Sequence, residues 1–262
     1  MSIQRIAMGI SYDGSAYHGW QAQEGLRTVQ ATLEKALSSV ANHPVVVTCA
    51  GRTDAGVHAC EQIVHFNTEA WRSEHAWVFG VNSNLPRSVN VLWARAVGQD
   101  FHARYSAMAR RYRYILYNDS IRPAILSQAV SWQYRPLDEI SMQLAGEYLL
   151  GQHDFTSFRG ANCQARSPVR TLHRFRIERR DRLIITDIEA DGFLHHMVRN
   201  IMGVLMIIGS GERPIEWIKE VLQARDRREA AMTASPNGLY LIKVQYPPEF
   251  DFPKSPPGPF FL

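Results

Sequence analysis

The stretch V-V-V-T-C-A-G-R-T-D-A-G-V-H-A-C-E-Q-I-V-H-F at residues 45–66 decides the fold, because two strand patterns flank a short loop in it. Residues 45–49 form a β-branched run, and residues 63–66 begin a second apolar run. Gly51 and Gly56 bracket the loop and permit backbone angles that other residues avoid. The stretch therefore predicts a β–loop–β unit that presents its loop at a strand edge.

Apolar periodicity outside this stretch predicts strands and helices in alternation. Residues 6–12 and 89–97 alternate as strands, and Thr28 is placed to cap a helix. Residues 195–208 are strongly apolar and predict a buried helix. One further helical face is predicted from four apolar residues, Leu137, Ile140, Leu144 and Tyr148. The fold class is therefore α+β, with antiparallel or mixed sheets and flanking helices.

The order of these elements predicts two similar α+β halves. The first half is residues 1–105 and carries the glycine-bracketed loop. The second is residues 106–246, and a proline-rich, extended tail follows at residues 247–262. No exact sequence repeat relates the two halves.

The positive charge of the chain is concentrated in its middle third. The formal net charge is +4, but residues 101–182 carry 14 basic residues against 7 acidic ones. All 14 are arginine, whose planar guanidinium pairs with phosphate and stacks on bases. The alternative is a solvated basic face without a function. We expect instead a surface that binds nucleic acid.

Cysteine usage and hydropathy exclude several classes of protein. The three cysteines, Cys49, Cys60 and Cys163, have no metal-type spacing, so neither a disulfide framework nor a zinc site is supported. His195 and His196 are adjacent and would diverge on a helix, so we expect no metal site. The chain shows neither signal-peptide features nor 18 uninterrupted apolar residues. We expect a cytoplasmic protein without a membrane span.

The glycine-bracketed loop contains a carboxylate suited to chemistry. Arg52 lies two residues before Asp54, and such an arginine can pair with the carboxylate and keep it ionised. An ionised carboxylate is a competent nucleophile when water is excluded. A hairpin loop with a surface ion pair is the alternative. No Gly-Lys-Ser/Thr follows, so the loop is not a phosphate-binding P-loop.

Arginine and aromatic residues interleave in F-H-A-R-Y-S-A-M-A-R-R-Y-R-Y at residues 101–114. Arginine can neutralise phosphates, while aromatic rings offer stacking surfaces for bases. The alternation of a strand would place Tyr112 on one face and Arg111 and Arg113 on the other. An exposed strand with one basic and one aromatic core face is equally compatible. A further basic stretch, residues 159–182, contains a loop at residues 162–166.

These motifs resemble those of the tRNA pseudouridine synthase A family. The loop G-R-T-D-A-G-V-H-A is similar to that family's catalytic motif. The resemblance spans the chain in order, through Y-D-G-S-x-Y-x-G-W-Q at 12–21, D-F-H-A-R at 100–104, A-R-R-Y-R-Y at 109–114, D-F-T-S-F-R at 154–159, F-L-H-H-M-V-R-N at 193–200, G-L-Y-L at 238–241 and the closing G-P-F-F-L. It implies the pseudouridine synthase fold, with two halves around a central basic cleft.

The resemblance also implies roles for individual residues. Asp54 matches the catalytic aspartate, and Arg52 matches the arginine that pairs with it and assists base flipping. Tyr112 matches the tyrosine that stacks on the target base and is the candidate base for the C5 proton, and Leu239 matches the leucine beside the base. The RNA-contacting residues that it implies are Phe101, His102, Ala103, Arg104, Tyr105, Arg110, Arg111, Asn162, Cys163, Gln164, Ala165 and Arg166. The loop at 160–162 departs most from the family pattern.

By resemblance the protein is an isomerase that converts uridines 38, 39 and 40 of the tRNA anticodon stem-loop to pseudouridine. The family needs no cofactor, and its members are homodimers that bind one tRNA with both subunits. Two alternatives stay open. One is a non-catalytic RNA-binding protein on the same scaffold. The other is a glycosidic hydrolase, which would want a second carboxylate near Asp54, and only Glu61 is close in sequence.

Overall fold

The computed structural model describes residues 3–262 and divides into two compact units. The first unit consists of the residues up to Met108 together with Tyr240–Leu262. The second unit is Ala109–Leu239. Both units contain helices packed with strands, which confirms the predicted α+β class. The division at 108/109 lies close to the predicted boundary at 105/106. The last strand and the tail, however, belong to the first unit.

The strands and helices follow the predicted alternation. The strands of the first unit are β1 (Gln4–Tyr12), β2 (Thr48–Cys49), β3 (His58–Thr68) and β4 (Val89–Val97). Those of the second unit are β5 (Ala109–Asn118), β6 (Ser131–Gln133), β7 (Gly151–Asp154), β8 (Val169–Arg180) and β9 (Leu183–Ala190). The last strand, β10 (Leu239–Gln245), begins at the final residue of the second unit and otherwise belongs to the first. The helices are α1 (Val29–Ala41), α2 (Glu74–Asn84), α3 (Glu139–Glu147), α4 (Met197–Gly209) and α5 (Trp217–Ala224).

The sheet of the first unit has the order β4–β1–β3–β10, with β2 paired to β3. β1 is antiparallel to both β3 and β4, and β10 joins parallel to β3 through Tyr240 opposite His58. Thr28 caps α1, as predicted, because its hydroxyl accepts a hydrogen bond from the Ala31 N–H. Leu33 and Leu37 of α1 are fully buried. The catalytic loop predicted from the sequence connects β2 to β3 in this sheet.

The strand predicted at residues 45–49 is shorter than expected. Only Thr48–Cys49 pairs with β3. The Val45 N–H donates to Ser38 Oγ at 2.9 Å, and the Val47 N–H donates to Glu34 Oε1 at 3.0 Å. Because side chains of α1 satisfy these backbone groups, the β-branched run does not need a neighbouring strand.

Part of the C-terminal tail packs on the first unit through aromatic side chains. Phe252 stacks on Trp93 with ring centroids 5.0 Å apart, and Phe250 meets Phe101 at 5.0 Å. Arg95 of β4 pairs with Asp251. The tail, predicted as an extended segment, contains a 3-10 turn at Pro248–Phe250 and contacts the first unit through Phe250 and Phe252.

The sheet of the second unit has the order β5–β9–β8–β7, with β6 parallel to β5. Strands β8 and β9 form the predicted hairpin, with Asp181 in the left-handed conformation at its turn (φ 53°). The predicted face of α3 is wrong, since Ile140 and Leu144 are exposed and the helix buries Met142, Ala145 and Gly146 instead. The reason is that a Cβ at residue 146 would overlap the ring of Phe175, so the small residue sets which face packs.

No helix in residues 3–262 is long and apolar enough to cross a membrane.

Candidate active site

The loop between β2 and β3 is a tight turn that presents Asp54. The Val57 N–H donates to the Asp54 carbonyl at 3.1 Å, and Gly56 has a φ of 79°. The positive φ explains the glycine, because other residues rarely adopt this conformation. Asp54 is half-buried and Arg52 is exposed. The turn thus holds a carboxylate at the rim of the sheet, where a substrate can reach it.

Residues 12–20, which begin at the last residue of β1, pack against this turn. We call them the buttress segment. Tyr12 Oη and Thr53 Oγ1 share a buried hydrogen bond of 2.7 Å. The Trp20 N–H donates to the Thr53 carbonyl at 3.0 Å. Apolar periodicity predicted no element for residues 13–20, and no role in the site was predicted for residues 12–20. The signal for them was the pair of glycines, Gly14 and Gly19, both of which lie against the loop backbone.

His58 connects the end of the loop to the buttress segment. Its Nδ1 lies 3.1 Å from Asp13 Oδ1 and accepts from the Gly14 N–H at 3.2 Å. Its ring stacks on Tyr240 with centroids 4.7 Å apart. Partial burial alone would raise the pKa of Asp13, but hydrogen bonds from Ser15 and the nearby imidazole lower it. An ionised Asp13 therefore sits beside a buried histidine at the base of the loop.

Strand β5 carries Tyr112 on one face and arginines on the other, as its alternation predicts. Tyr112 is buried, lies opposite Ile188 of β9 and meets the Phe193 ring edge-on at 5.1 Å. Arg111 and Arg113 point to the opposite face, where both bind Asp187. Of the two arginines of β5 that were assigned to RNA, Arg110 and Arg111, only Arg110 shares the face of Tyr112.

The opposite face of the second unit is a cluster of arginines around one buried carboxylate. Arg113 Nε lies 2.8 Å from Asp187 Oδ1, and Arg111 Nη2 lies 2.5 Å from Oδ2. Burial alone would raise the pKa of Asp187, but the two guanidinium groups hold it below its usual value. A cavity of 180 Å³ lies here, lined by Arg111, Arg113, Arg174, Arg176, Glu178, Arg180, Ile185 and Asp187.

Leu239 is also positioned by β5. The residue before it, Gly238, has a φ of 81°, and its carbonyl accepts from the Ile115 N–H at 2.8 Å. A Cβ at residue 238 would overlap the Ile115 carbonyl oxygen, so only glycine fits at this approach. Leu239 itself is buried, and its N–H donates to the Pro236 carbonyl at 3.0 Å. Tyr112 and Leu239 are therefore both fixed through the same strand.

The segment 101–105 separates into buried and accessible side chains. Phe101 and Ala103 are fully buried, so their side chains belong to the core of the first unit. The Phe101 carbonyl accepts from Arg5 Nη1 at 2.8 Å, and the Ala103 N–H donates to His65 Nδ1 at 3.1 Å. These two residues therefore anchor the segment in the core through their buried apolar side chains and these hydrogen bonds. The side chains that solvent reaches are those of His102, Arg104 and Tyr105.

The side chain of Arg159 holds the loop 162–166 in place. Arg159 Nη2 donates to the carbonyls of Cys163 and Ala165, at 2.7 and 2.8 Å. The His195 N–H donates to Cys163 Sγ at 3.4 Å. Partial burial alone would raise the pKa of the Cys163 thiol, but hydrogen bonds to the thiol from the His195 and Ala165 backbone and from the Arg159 side chain lower it. The outward-facing side chains of the loop are Asn162, Gln164 and Arg166, all exposed.

His195 and His196 are not helical, which corrects the prediction for residues 195–208. Helix α4 begins at Met197, and His196 before it is left-handed with a φ of 61°. The two rings stack with centroids 3.8 Å apart instead of diverging. The Gly160 N–H donates to the His195 carbonyl at 2.8 Å. The pair thus forms a turn that packs against Gly160, just before the loop 162–166.

Comparison with known proteins gives one consistent result. A family model described as tRNA pseudouridine synthase matches residues 8–106 and 145–247. The tRNA pseudouridine synthase A of Coxiella burnetii is 64% identical over 260 residues, which cover 99% of this chain and all of that protein. The enzymes of the same name from Pseudomonas aeruginosa and Legionella pneumophila are 59% and 53% identical, and the alignments cover 92% and 98% of their own lengths and 99% and 98% of this chain.

Proposed function

This chain belongs to the tRNA pseudouridine synthase family, and we propose that it isomerises uridines 38, 39 and 40 of the tRNA anticodon stem-loop with Asp54 as its nucleophile. The observation that carries the proposal is the half-buried Asp54 carboxylate on a buttressed, glycine-containing turn at the rim of the sheet. The turn lies within the residues 8–106 that the family model matches, and its sequence resembles the family's catalytic motif.

The reaction is an isomerisation that adds and removes nothing overall. The bond from ribose C1′ to uracil N1 breaks, the uracil turns, and a new bond forms from C1′ to C5. The proton leaves C5, and N1 gains one, so no redox partner and no ATP is consumed. The proposed enzyme accordingly uses side chains alone, without a cofactor.

Asp54 has the central role in this sequence of steps. As a nucleophile it attacks either the uracil ring or the ribose, and both routes require an ionised carboxylate shielded from water. The target base must first leave its stack, which costs a few kcal/mol. Arg52, exposed two residues away, is assigned to fill the vacated space and meet the RNA backbone.

Tyr112 and Leu239 are proposed to hold the flipped uracil. Both are buried residues fixed through β5, so neither needs to be ordered when the base arrives. Tyr112 is also the candidate for removing the C5 proton. Its ring is already braced by Phe193, which suits a residue that stacks on a base.

Recognition of tRNA is proposed to rest on shape and phosphate contacts. Contacts to the backbone fix position without reading sequence, which suits one site acting on three neighbouring uridines. The residues assigned to these contacts are His102, Arg104, Tyr105, Arg110, Asn162, Cys163, Gln164, Ala165 and Arg166, all at least partly exposed. Binding should then weaken steeply with salt, because each neutralised phosphate releases counterions. We further propose a cytoplasmic homodimer in which one tRNA contacts both subunits.

The structure weighs against a glycosidic hydrolase. Such an enzyme needs a second carboxylic acid to protonate the leaving group. Glu61, the carboxylate nearest to Asp54 in sequence, is buried and accepts a hydrogen bond from Trp93 Nε1 at 2.9 Å. It is therefore committed to the core of the first unit.

Release of tritium from tRNA labelled at uridine C5 tests the proposal. We expect release by the wild type and none above background by Asp54→Ala, with tRNA affinity within about threefold of wild type. Glu24→Gln, which alters an exposed carboxylate of the same unit, is the matched control and should retain full release. Tritium release by Asp54→Ala would refute the role of Asp54 as the nucleophile. A wild type that binds tRNA without any release would favour the non-catalytic RNA-binding alternative.

A further inference from the structure

Thr53, the residue before Asp54, is held through both its main chain and its side chain. Its hydroxyl shares a 2.7 Å hydrogen bond with Tyr12 Oη, and its carbonyl accepts from the Trp20 N–H at 3.0 Å. All three of these side chains are buried. Hydrogen bonds removed from water are electrostatically stronger and exchange little with solvent. The backbone on the N-terminal side of Asp54 is therefore fixed.

The buttress segment that supplies these bonds is itself anchored to the fold. The Val29 and Gln30 N–H groups, at the start of α1, donate to the carbonyls of Gly19 and Trp20 at 3.2 and 3.0 Å. These are N–H groups that the first turn of a helix leaves without helical partners. The Asp13 N–H donates to the Ser88 carbonyl at 2.9 Å, which ties the other end to the sheet. Rigid secondary structure thus stands behind Thr53.

The buttress segment also approaches the loop more closely than side chains would allow. Gly19 has a φ of 87°, and a Cβ there would lie 2.9 Å from the Thr53 carbonyl oxygen and 3.1 Å from the Ala55 nitrogen. The two backbones are therefore in direct contact on both sides of Asp54. This close approach leaves the loop little room to shift relative to the buttress segment.

We propose that Tyr12 is a positioning residue for the reaction, whose hydroxyl sets the direction of the Asp54 carboxylate by holding the side chain of Thr53. This inference rests on the proposed role of Asp54. The Tyr12 hydroxyl is buried in its hydrogen bond with Thr53, so it acts through that residue and not on the substrate. Its effect comes from geometry, because a misplaced nucleophile loses rate even when the substrate still binds.

The test removes single hydroxyl groups and separates turnover from binding. Tyr12→Phe and Thr53→Val each delete one partner of the bond at nearly constant volume, while Thr53→Ser keeps the hydroxyl. Tyr17→Phe is the matched control, since the Tyr17 hydroxyl is also buried in the buttress segment but binds Ser88 Oγ at 2.8 Å. The measurements are kcat and KM for tRNA by tritium release, together with Tm, and Asp54→Asn is assayed in parallel.

We expect Tyr12→Phe and Thr53→Val to lower kcat by roughly 10- to 100-fold with KM within about twofold of wild type. The double variant should be no slower than the slower single variant, Thr53→Ser should be close to wild type, and Tm should fall no more than in Tyr17→Phe. Unchanged kcat in Tyr12→Phe, or an equal loss of kcat in Tyr17→Phe, overturns the role of Tyr12. Activity in Asp54→Asn overturns the proposed nucleophile and the inference with it, whereas an inactive Asp54→Asn beside a fully active Tyr12→Phe overturns only the inference.

Discussion

The backbone of Gly14 passes so close to Val57 that a Cβ at residue 14 would overlap the Val57 carbonyl oxygen. Gly14 belongs to the buttress segment, and Val57 ends the turn that starts at Asp54. Two segments 43 positions apart in sequence therefore meet through bare backbone. The absence of one side chain is what allows the turn to lie directly against the buttress segment.

Gly14→Ala should therefore be strongly destabilising. The added methyl group forces apart two backbones that cannot rotate away, and overpacking of this kind costs about 1–3 kcal/mol or more. We expect a lower midpoint in urea unfolding and loss of tritium release. Gly51→Ala, in the same loop but with open space around its Cβ, should leave the midpoint nearly unchanged. Equal midpoints for the two variants would contradict the close approach.

Asp187→Ala should destabilise the second unit. The carboxylate is buried between Arg111 and Arg113, and its removal leaves two like charges facing each other without compensation. Breaking a buried pair in this way costs about 3–5 kcal/mol in the free energy of unfolding. The control is Glu212→Ala, which breaks an exposed pair with Arg135 and should leave the free energy of unfolding nearly unchanged. Similar losses in both variants would show that the arginine cluster is a solvated surface.

Phe101→Ala and Tyr105→Ala should separate folding from RNA binding within one segment. The Phe101 ring is fully buried against Tyr246 and Phe250, so its truncation should cost about 3–5 kcal/mol of stability. Tyr105 is 77% exposed, and its truncation should change stability by less than about 0.5 kcal/mol. Since loss of one stacked base costs about 1–3 kcal/mol, we expect KM for tRNA to rise in Tyr105→Ala. An unchanged KM would remove Tyr105 from the RNA contacts.

His65 should make the protein sensitive to mild acid. Burial, and then the positive charges of His102 and Arg5, lower its pKa to about 4. Between that value and the unfolded value of about 6.5, the unfolded chain binds a proton that the folded chain does not, so stability falls as pH falls. We expect a loss of about 1–2 kcal/mol between pH 7 and pH 5.

The matched variant for this prediction is His65→Asn. Its side-chain oxygen can still accept from the Ala103 N–H, as His65 Nδ1 does at 3.1 Å, but it does not titrate. Urea unfolding at pH 7 and pH 5 should show a smaller acid loss in the variant. An identical loss in both proteins would assign the acid sensitivity to other groups.

Local sequence patterns predicted the elements that depend on neighbours along the chain. Thr28 caps α1, and strand β4 has the predicted bounds, because capping and alternation act over a few residues. The same patterns failed where a distant partner intervenes. Residues 45–47 turn away from the sheet because Ser38 and Glu34 bind their N–H groups. Helix α3 packs through Gly146 because Phe175, from another element, occupies that space.

The site divides in the same way. Asp54 and Arg52 were identified from the glycines around them and from family resemblance, since a turn of this kind is encoded within a few residues. Phe101 illustrates the limit, because an aromatic residue among arginines suggests stacking on RNA, and only the fold shows it buried in the core. Likewise, the apolar run at residues 195–208 predicts a helix from His195 onwards. His196 is left-handed, however, so α4 begins only at Met197.

The sequence by itself determined the α+β class, the family, and the loop that carries Asp54, since each is written in short motifs and local periodicity. Only the tertiary structure decided which residues support that loop. The hydroxyl of Tyr12 reaches Thr53, and Gly14 and Gly19 admit the loop backbone, through contacts between residues about 35 to 43 positions apart. Such contacts depend on how the strands and α1 pack together, and no local pattern encodes that packing.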